Sequence, residues 1–175
     1  MDNGVLRTNH SLDGMVRHLG YEPVATGPPG MKTDAELVQE SQERLSKVAI
    51  VPDADLSSVQ VASLRLARAF ASLGPQGPVQ VHAAVIPPAS DRVRTAGMYR
   101  RGSGEIYIST DQLNSARATV DSMLHELAHH TSAADDGEEA HRSEVGHLSS
   151  LAVKMASADL WAEQLHDPNL VWGGY

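Results

Sequence analysis

The pattern of apolar and polar positions predicts short helices and strands over most of the chain. Apolar residues recur at helical spacing in 56–73 and 138–165, so each segment would bury one side of a helix. Residues 78–86 alternate between polar and apolar positions, which is typical of a strand, and 95–99 and 105–109 flank a glycine-bearing turn typical of a β-hairpin. The predicted fold class is α+β, with a small antiparallel or mixed sheet packed on helices.

The same pattern predicts one domain between two less regular ends. Residues 1–31 are predicted to be a flexible N-terminal arm, because a Gly-Pro-Pro-Gly sequence interrupts regular structure. The capping-box sequence Thr33–Glu36 predicts that a helix begins there and runs to about Lys47. The predicted domain spans 32–168, and 169–175 form a C-terminal tail.

Composition and charge exclude several function classes. The chain has a formal net charge of −8 and a sequence pI of about 5.5, which argues against binding to nucleic acid or to an anionic membrane. It has no cysteine, so a zinc site would have to use histidine and carboxylate ligands. We see no signal-peptide pattern and no apolar stretch of about 20 residues, and we therefore expect a cytoplasmic protein.

The strongest chemical signal is the sequence His125-Glu126-Leu127-Ala128-His129, which has the His-Glu-x-x-His pattern. Apolar residues at helical spacing surround it, which predicts a helix half buried in the core. On a helix His125 and His129 project from one side, one turn apart, and can bind the same metal ion. Glu126 would lie beside that ion as general base, taking a proton from a metal-activated water.

Two histidines leave a catalytic zinc site one protein ligand short. The following sequence offers several donors: Asp135, Asp136, Glu138, Glu139, His141, Glu144 and His147. We favour His141, since a helix folding back after a short turn would carry it over the motif; Glu144, on the same side of that helix, is an alternative. Asp135 is another, because it follows His129 at the spacing of the last metzincin ligand, although Ser132 stands where that motif requires glycine.

Residues 95–160 resemble the minimal zincin metallopeptidases, specifically the SprT-like and related small bacterial and phage groups. The resemblance lies in the strand 105–109, the motif helix, the acidic turn and a helix that opens Ala140-His141-Arg142-Ser143-Glu144-Val145. Arg142 and Val145 stand where these groups usually carry a glycine and an aromatic residue. The chain also lacks the cysteine-rich zinc ribbon of the DNA-associated members.

The resemblance implies a zinc-dependent peptidase that acts on a peptide or protein substrate. It implies that His125, His129 and His141 bind Zn²⁺ and that Glu126 is the catalytic base. It further implies that the hairpin strand before the motif is an edge strand that binds the substrate backbone by strand addition. The expected substrate-binding residues of that strand are Ile106, Tyr107 and Ile108.

Two other functions compete with the peptidase. One is a non-catalytic adaptor or inhibitor stapled by zinc, which four protein ligands and no open position would favour. The other is a helical interaction protein that binds no metal.

The segment 92–101 has two interpretations. Its arginines form either a solvated loop or a docking patch for an acidic partner or nucleic acid; they are Arg92, Arg94, Arg100 and Arg101. For the peptidase, Tyr99, Tyr107 and Arg101 are candidate donors to the oxyanion.

Overall fold

The structure, a computed structural model, describes residues 39, 43, 46–75, 77–88 and 94–173. The chain divides into two compact units, Met1–Lys47 and Val48–Tyr175. In the first unit Gln39, Glu43 and Ser46 are helical, which agrees with the helix predicted to run to about Lys47. The predicted arm and the capping box lie outside the described residues. The predicted domain of 32–168 crosses the boundary between the two units.

The second unit contains a four-stranded mixed sheet, which confirms the predicted α+β class. The strands are β1 Ala49–Ile50, β2 Gln80–Val85, β3 Gly97–Arg100 and β4 Glu105–Ser109. Their order across the sheet is β1-β2-β4-β3. Strands β2 and β4 are parallel, whereas β1 pairs with β2 and β3 pairs with β4 in antiparallel fashion.

Four helices accompany the sheet in the described part of this unit: α1 Ser58–Phe70, α2 Ala116–Ser132, α3 Glu139–Ser157 and α4 Ala162–Leu165. The single helix expected over 138–165 is instead two, because the chain turns at Asp159, whose φ of 55° is left-handed. No helix among the described residues is both long enough and apolar enough to cross a membrane.

The core lies between one side of the sheet and helices α1 and α2. Side chains alternate along a strand, so Ile106 and Ile108 share a face, and both are fully buried against the helices. From α2, Met123 and Leu127 enter the same core and are also fully buried. Their burial fixes the rotation of α2 about its axis, and therefore which direction each residue of the motif faces.

The C-terminal tail packs back on the start of α2. The backbone N–H of Ala116 donates to the carbonyl oxygen of Val171 at 2.7 Å, and the Ser115 hydroxyl donates to that of Trp172 at 3.0 Å. Ser115 is also the N-cap of α2 and accepts from the N–H of Ala118. The tail thus satisfies the backbone N–H of Ala116 at the beginning of the helix that carries the motif.

A second structural expectation is wrong: β4 is not an edge strand. It lies between β2 and β3, and its backbone pairs on both sides. Ile106, Tyr107 and Ile108 are each at most 3% exposed, so this strand cannot add a substrate chain. The edge next to β4 is the other strand of the hairpin, β3.

Candidate metal centre

Helix α2 brings His125 and His129 together as the motif predicts. The two residues are one turn apart, and their Nε2 atoms are 3.3 Å from each other. Because Met123 and Leu127 hold the opposite side of the helix in the core, the imidazoles face away from the sheet. The side chain of His125 is 44% exposed and that of His129 is 14% exposed, so solvent can reach the pair.

Helix α3 packs against α2 and supplies the third histidine. The His141 ring is buried, with its centroid 4.7 Å from that of His125 and 4.2 Å from that of His129. Its Nε2 lies 3.2 Å from the backbone carbonyl oxygen of His125. Since a carbonyl only accepts, this Nε2 carries the hydrogen, and a neutral His141 then has its lone pair on Nδ1.

Asp136, in the turn between α2 and α3, is a fourth donor. Its Oδ1 is 3.0 Å from Nε2 of His125 and 3.1 Å from Nε2 of His129. One ligand atom from each of His125, His129, Asp136 and His141 falls in a group within 4.8 Å of one another. Four donors at 2.0–2.1 Å from a tetrahedral zinc ion would be about 3.3 Å apart. The donors of His125, His129 and Asp136 have about this spacing, and the donor of His141 lies within 4.8 Å of them.

The donor group includes one predicted third ligand and excludes two others. His141 belongs to the group, whereas Asp135 and Glu144 are not among the donors found in the described residues. The carboxylate of Asp135 instead pairs with Arg101 at 2.6 Å. His147 is exposed on α3. The donor group thus contains Asp136, the direct neighbour of the aspartate that the metzincin spacing indicates.

A hydrogen bond fixes the orientation of His129. Its Nδ1–H donates to the backbone carbonyl oxygen of Ala134 at 2.9 Å, which leaves Nε2 with the lone pair that a metal ion needs. The pKa of His125 is lowered, first by its burial and further by the neighbouring rings of His129 and His141, while the carboxylate of Asp136 opposes the shift. The lowered pKa favours a neutral His125 imidazole, and the hydrogen bond to Ala134 directs Nε2 of His129 toward the donor group.

Glu126 is buried beside this group. It is 7% exposed, and burial raises its pKa from the usual 4.5 to about 7, against a smaller opposing effect from His129. The backbone N–H of Tyr99 lies close enough to this carboxylate to oppose part of the rise in its pKa. A Cβ at Gly97 would lie 2.9 Å from Cγ of Glu126, so the absence of a side chain at Gly97 makes room for the carboxylate.

The outer edge of β3, which pairs with no strand among the described residues, faces this carboxylate. The N–H of Ser109 donates to the carbonyl oxygen of Ala96, so Ala96 and Ser109 form a hydrogen-bonded pair. Along an antiparallel ladder such pairs alternate with pairs that share no hydrogen bond, and Gly97 and Tyr99 belong to pairs of the second kind. The backbone groups of Gly97 and Tyr99 therefore point away from β4. Because the Tyr99 N–H reaches Glu126, the general base predicted from the sequence lies at the edge of the sheet.

No known family, curated protein or solved structure matches this chain. The geometry of the site therefore carries the functional argument by itself.

The proposed oxyanion donors have other partners. Tyr107 lies on the sheet face opposite Ile106 and Ile108, away from α2, and its hydroxyl donates to Glu105 at 2.9 Å. Tyr107 therefore cannot reach the metal centre. The Tyr99 hydroxyl is 3.0 Å from Nδ1 of His130, and Arg101 bonds the turn that carries Asp136.

The described arginines of the 92–101 segment also pair within the fold. The guanidinium of Arg94 forms an ion pair with Asp111 at 2.9 Å. The guanidinium of Arg100 lies 5.2 Å from the centre of the Tyr107 ring, and that of Arg101 forms an ion pair with Asp135 at 2.6 Å. Arg92 lies outside the described residues. These contacts weaken the interpretation of this segment as a docking patch, since the charges already have partners.

Proposed function

We propose that this chain is a zinc-dependent metallopeptidase with Glu126 as its general base. The observation that carries the proposal is the buried carboxylate of Glu126, which interacts electrostatically with His129 and Asp136 of the donor group. Burying an ionisable group costs free energy, and a pKa near 7 is the value best suited to exchanging protons at neutral pH. A site that served only to staple two helices would have no use for such a carboxylate.

In this proposal the chain's own groups each have one task. His125, His129 and His141 hold the ion, and Asp136 is the ligand nearest to solvent, with its side chain 73% exposed. Zinc in this site would supply a Lewis acid for the peptide carbonyl and would lower the pKa of water to about 7. Glu126 takes a proton from the attacking water and gives it to the leaving amine nitrogen as the C–N bond breaks.

Strand β3 is the proposed binding site for the substrate backbone. An extended peptide can add to a sheet edge through main-chain hydrogen bonds. Gly97 and Tyr99 direct backbone groups to this edge, and the Tyr99 N–H already reaches Glu126. A peptide paired with β3 would thus run past the general base, which supports a peptide or protein substrate in place of a compact small molecule.

Substitution of the proposed base tests the mechanism. Glu126→Gln should keep stoichiometric zinc and lose about 10²- to 10⁴-fold in the cleavage rate of a random fluorescence-quenched peptide library. Glu163→Gln, at an exposed position of α4, is the matched control and should cleave as wild type does. Equal cleavage by Glu126→Gln, or no cleavage by zinc-loaded wild type, would contradict the proposal.

Asp136 favours a second candidate, a zinc-stapled adaptor or inhibitor. Structural zinc sites have four protein ligands, and the donor group here has four members. Titration of the cobalt-substituted protein with acetohydroxamic acid distinguishes the two. A changed visible spectrum means that the probe reaches the ion, as the enzyme requires. An unchanged spectrum at saturating probe would favour the closed site.

A further inference from the structure

The Arg101 side chain connects the β3–β4 turn to the turn between α2 and α3. Its Nη2 donates to the carbonyl oxygens of Ala133 at 3.2 Å and Ala134 at 3.3 Å. The same nitrogen is 2.6 Å from Oδ1 of Asp135. One guanidinium group therefore fixes three consecutive residues immediately before Asp136.

Two of these contacts are to groups directly connected to a proposed metal ligand, one through a hydrogen bond and one through the chain. The Ala134 carbonyl that accepts from Arg101 also accepts from Nδ1 of His129, which determines where His129 keeps its lone pair. Asp135, which pairs with the guanidinium, directly precedes Asp136 in the chain. Arg101 thus acts on two donors of the site without being one of them.

Arg101 adds to the hydrogen bonds within this turn, in which the N–H of Ala134 donates to the Ser132 hydroxyl at 3.2 Å and the N–H of Glu138 donates to the Asp135 carbonyl at 3.2 Å. Ala133 at its start has a left-handed φ of 56°, which disfavours alanine, and Gly137 at its end has a φ of 83°. The Asp136 side chain is largely exposed, yet its Oδ1 stays within 3.1 Å of two histidines. A mobile turn would lose conformational entropy whenever Asp136 bound the ion. The hydrogen bonds from Arg101 already restrict the turn, so less entropy remains to be lost on binding.

We propose that Arg101 is the positioning residue of the metal centre. It orients His129 through the Ala134 carbonyl and presents Asp136 through the clamped turn. The inference rests on the proposed function only in requiring that the site binds zinc. It gives Arg101 a role outside the reaction itself, in place of the expected role as an oxyanion donor.

The first test compares zinc affinity among arginine variants by competition with a chromophoric chelator. Arg101→Ala should weaken zinc binding by about 10- to 100-fold, the usual loss when a residue that orients a ligand is removed. Arg101→Lys keeps the positive charge on a shorter side chain that places its ammonium short of the Nη2 position, so its zinc affinity should fall between those of wild type and Arg101→Ala. The matched control is Arg94→Ala, which breaks the comparably exposed pair with Asp111 and should bind zinc like wild type.

The second test uses metal-free protein, so that an effect on the ligand is separated from an effect on stability. In ¹⁵N-edited imidazole spectra, wild-type His129 should be the Nδ1–H tautomer. Arg101→Ala should give a mixture of tautomers, with the urea midpoint of the metal-free protein lowered no more than in Arg94→Ala.

The outcomes separate the two proposals. Wild type that takes up no zinc would overturn the proposed function and this inference together. Wild type that binds zinc, with Arg101→Ala binding equally well and keeping the same His129 tautomer, would overturn this inference alone. If Arg101→Ala does not fold, Asp135→Asn and Arg101→Lys take its place. Asp135→Asn keeps the hydrogen bonds from Arg101 to the carbonyls of Ala133 and Ala134, so its zinc affinity should fall by less than that of Arg101→Lys. Unchanged zinc affinity in both of these variants would also overturn the inference.

Discussion

Glu126 makes the stability of the metal-free protein depend on pH in a direction that can be calculated. In the folded protein its pKa is about 7, whereas the usual value is 4.5. Between these values the folded state holds a proton that the unfolded chain has lost, so stability falls as pH rises through this window. A tenfold change in an acid dissociation constant corresponds to about 1.4 kcal/mol, which gives a loss of roughly 2.5 kcal/mol between pH 5 and pH 8.

Glu126→Gln should remove this dependence, because an amide of nearly the same shape does not titrate. The measurement is urea unfolding of wild type and variant with a chelator present, at several pH values from 5 to 8. The quantity of interest is how the difference in unfolding free energy changes with pH, since a constant offset from the substitution cancels. The unfolding free energy of the variant minus that of wild type should rise by roughly 2.5 kcal/mol from pH 5 to pH 8.

Two features of this design make the result decisive. Glu163→Gln changes a carboxylate in an exposed position and should follow wild type at every pH. Parallel curves for wild type and Glu126→Gln would refute the reasoning, because they would mean that the Glu126 carboxyl does not titrate abnormally in the folded state. A difference in unfolding free energy that favoured the variant more at low pH than at high pH would refute it as well.

Two further substitutions test the geometry around the base and the fourth ligand. Gly97→Ala would place a Cβ 2.9 Å from Cγ of Glu126, so we expect the peptide cleavage rate to fall at least tenfold with zinc content unchanged; Gly102→Ala meets nothing within 4 Å and should leave the rate as it is. Asp136→Asn should weaken zinc binding, since a neutral amide is a poorer ligand than a carboxylate, but the zinc-loaded variant should still cleave peptides because three histidines suffice for a catalytic site. Loss of all cleavage by fully loaded Asp136→Asn would contradict the role of a displaceable ligand.

The features that can be predicted from the sequence depend on regular periodicity. His125 and His129 meet because a helix of fixed pitch places residues four apart on one side, whatever surrounds it. The strand 105–109 is predicted with its observed bounds, since alternation and a glycine-bearing turn are local signals. His141 can be favoured because a short turn between two helices leaves few ways to bring a histidine of the second over the first.

The features that the sequence does not reveal are of two kinds. One is the order of the strands in the sheet, and the other is which of two neighbouring residues in a turn faces the site. Which hairpin strand lies at the edge depends on β2 pairing with β4, a long-range choice that no local pattern records. Asp136 supplies the donor in place of Asp135 because α2 ends at Ser132 and Ala133 takes a left-handed conformation. The acidic turn itself is predicted, but no glycine marks the residue at which the chain leaves α2, so the sequence does not tell which aspartate faces the histidines.

The direct test of the account is the zinc content of protein purified without a histidine tag, measured by elemental analysis after zinc supplementation and removal of free metal. We predict one zinc ion per chain in wild type and in His147→Ala, whose substitution is at an exposed position of α3. His141→Ala, on the same helix, should lose most of the zinc because one of the four donors is gone. Substoichiometric zinc in wild type, or equal zinc in His141→Ala and His147→Ala, would contradict the account.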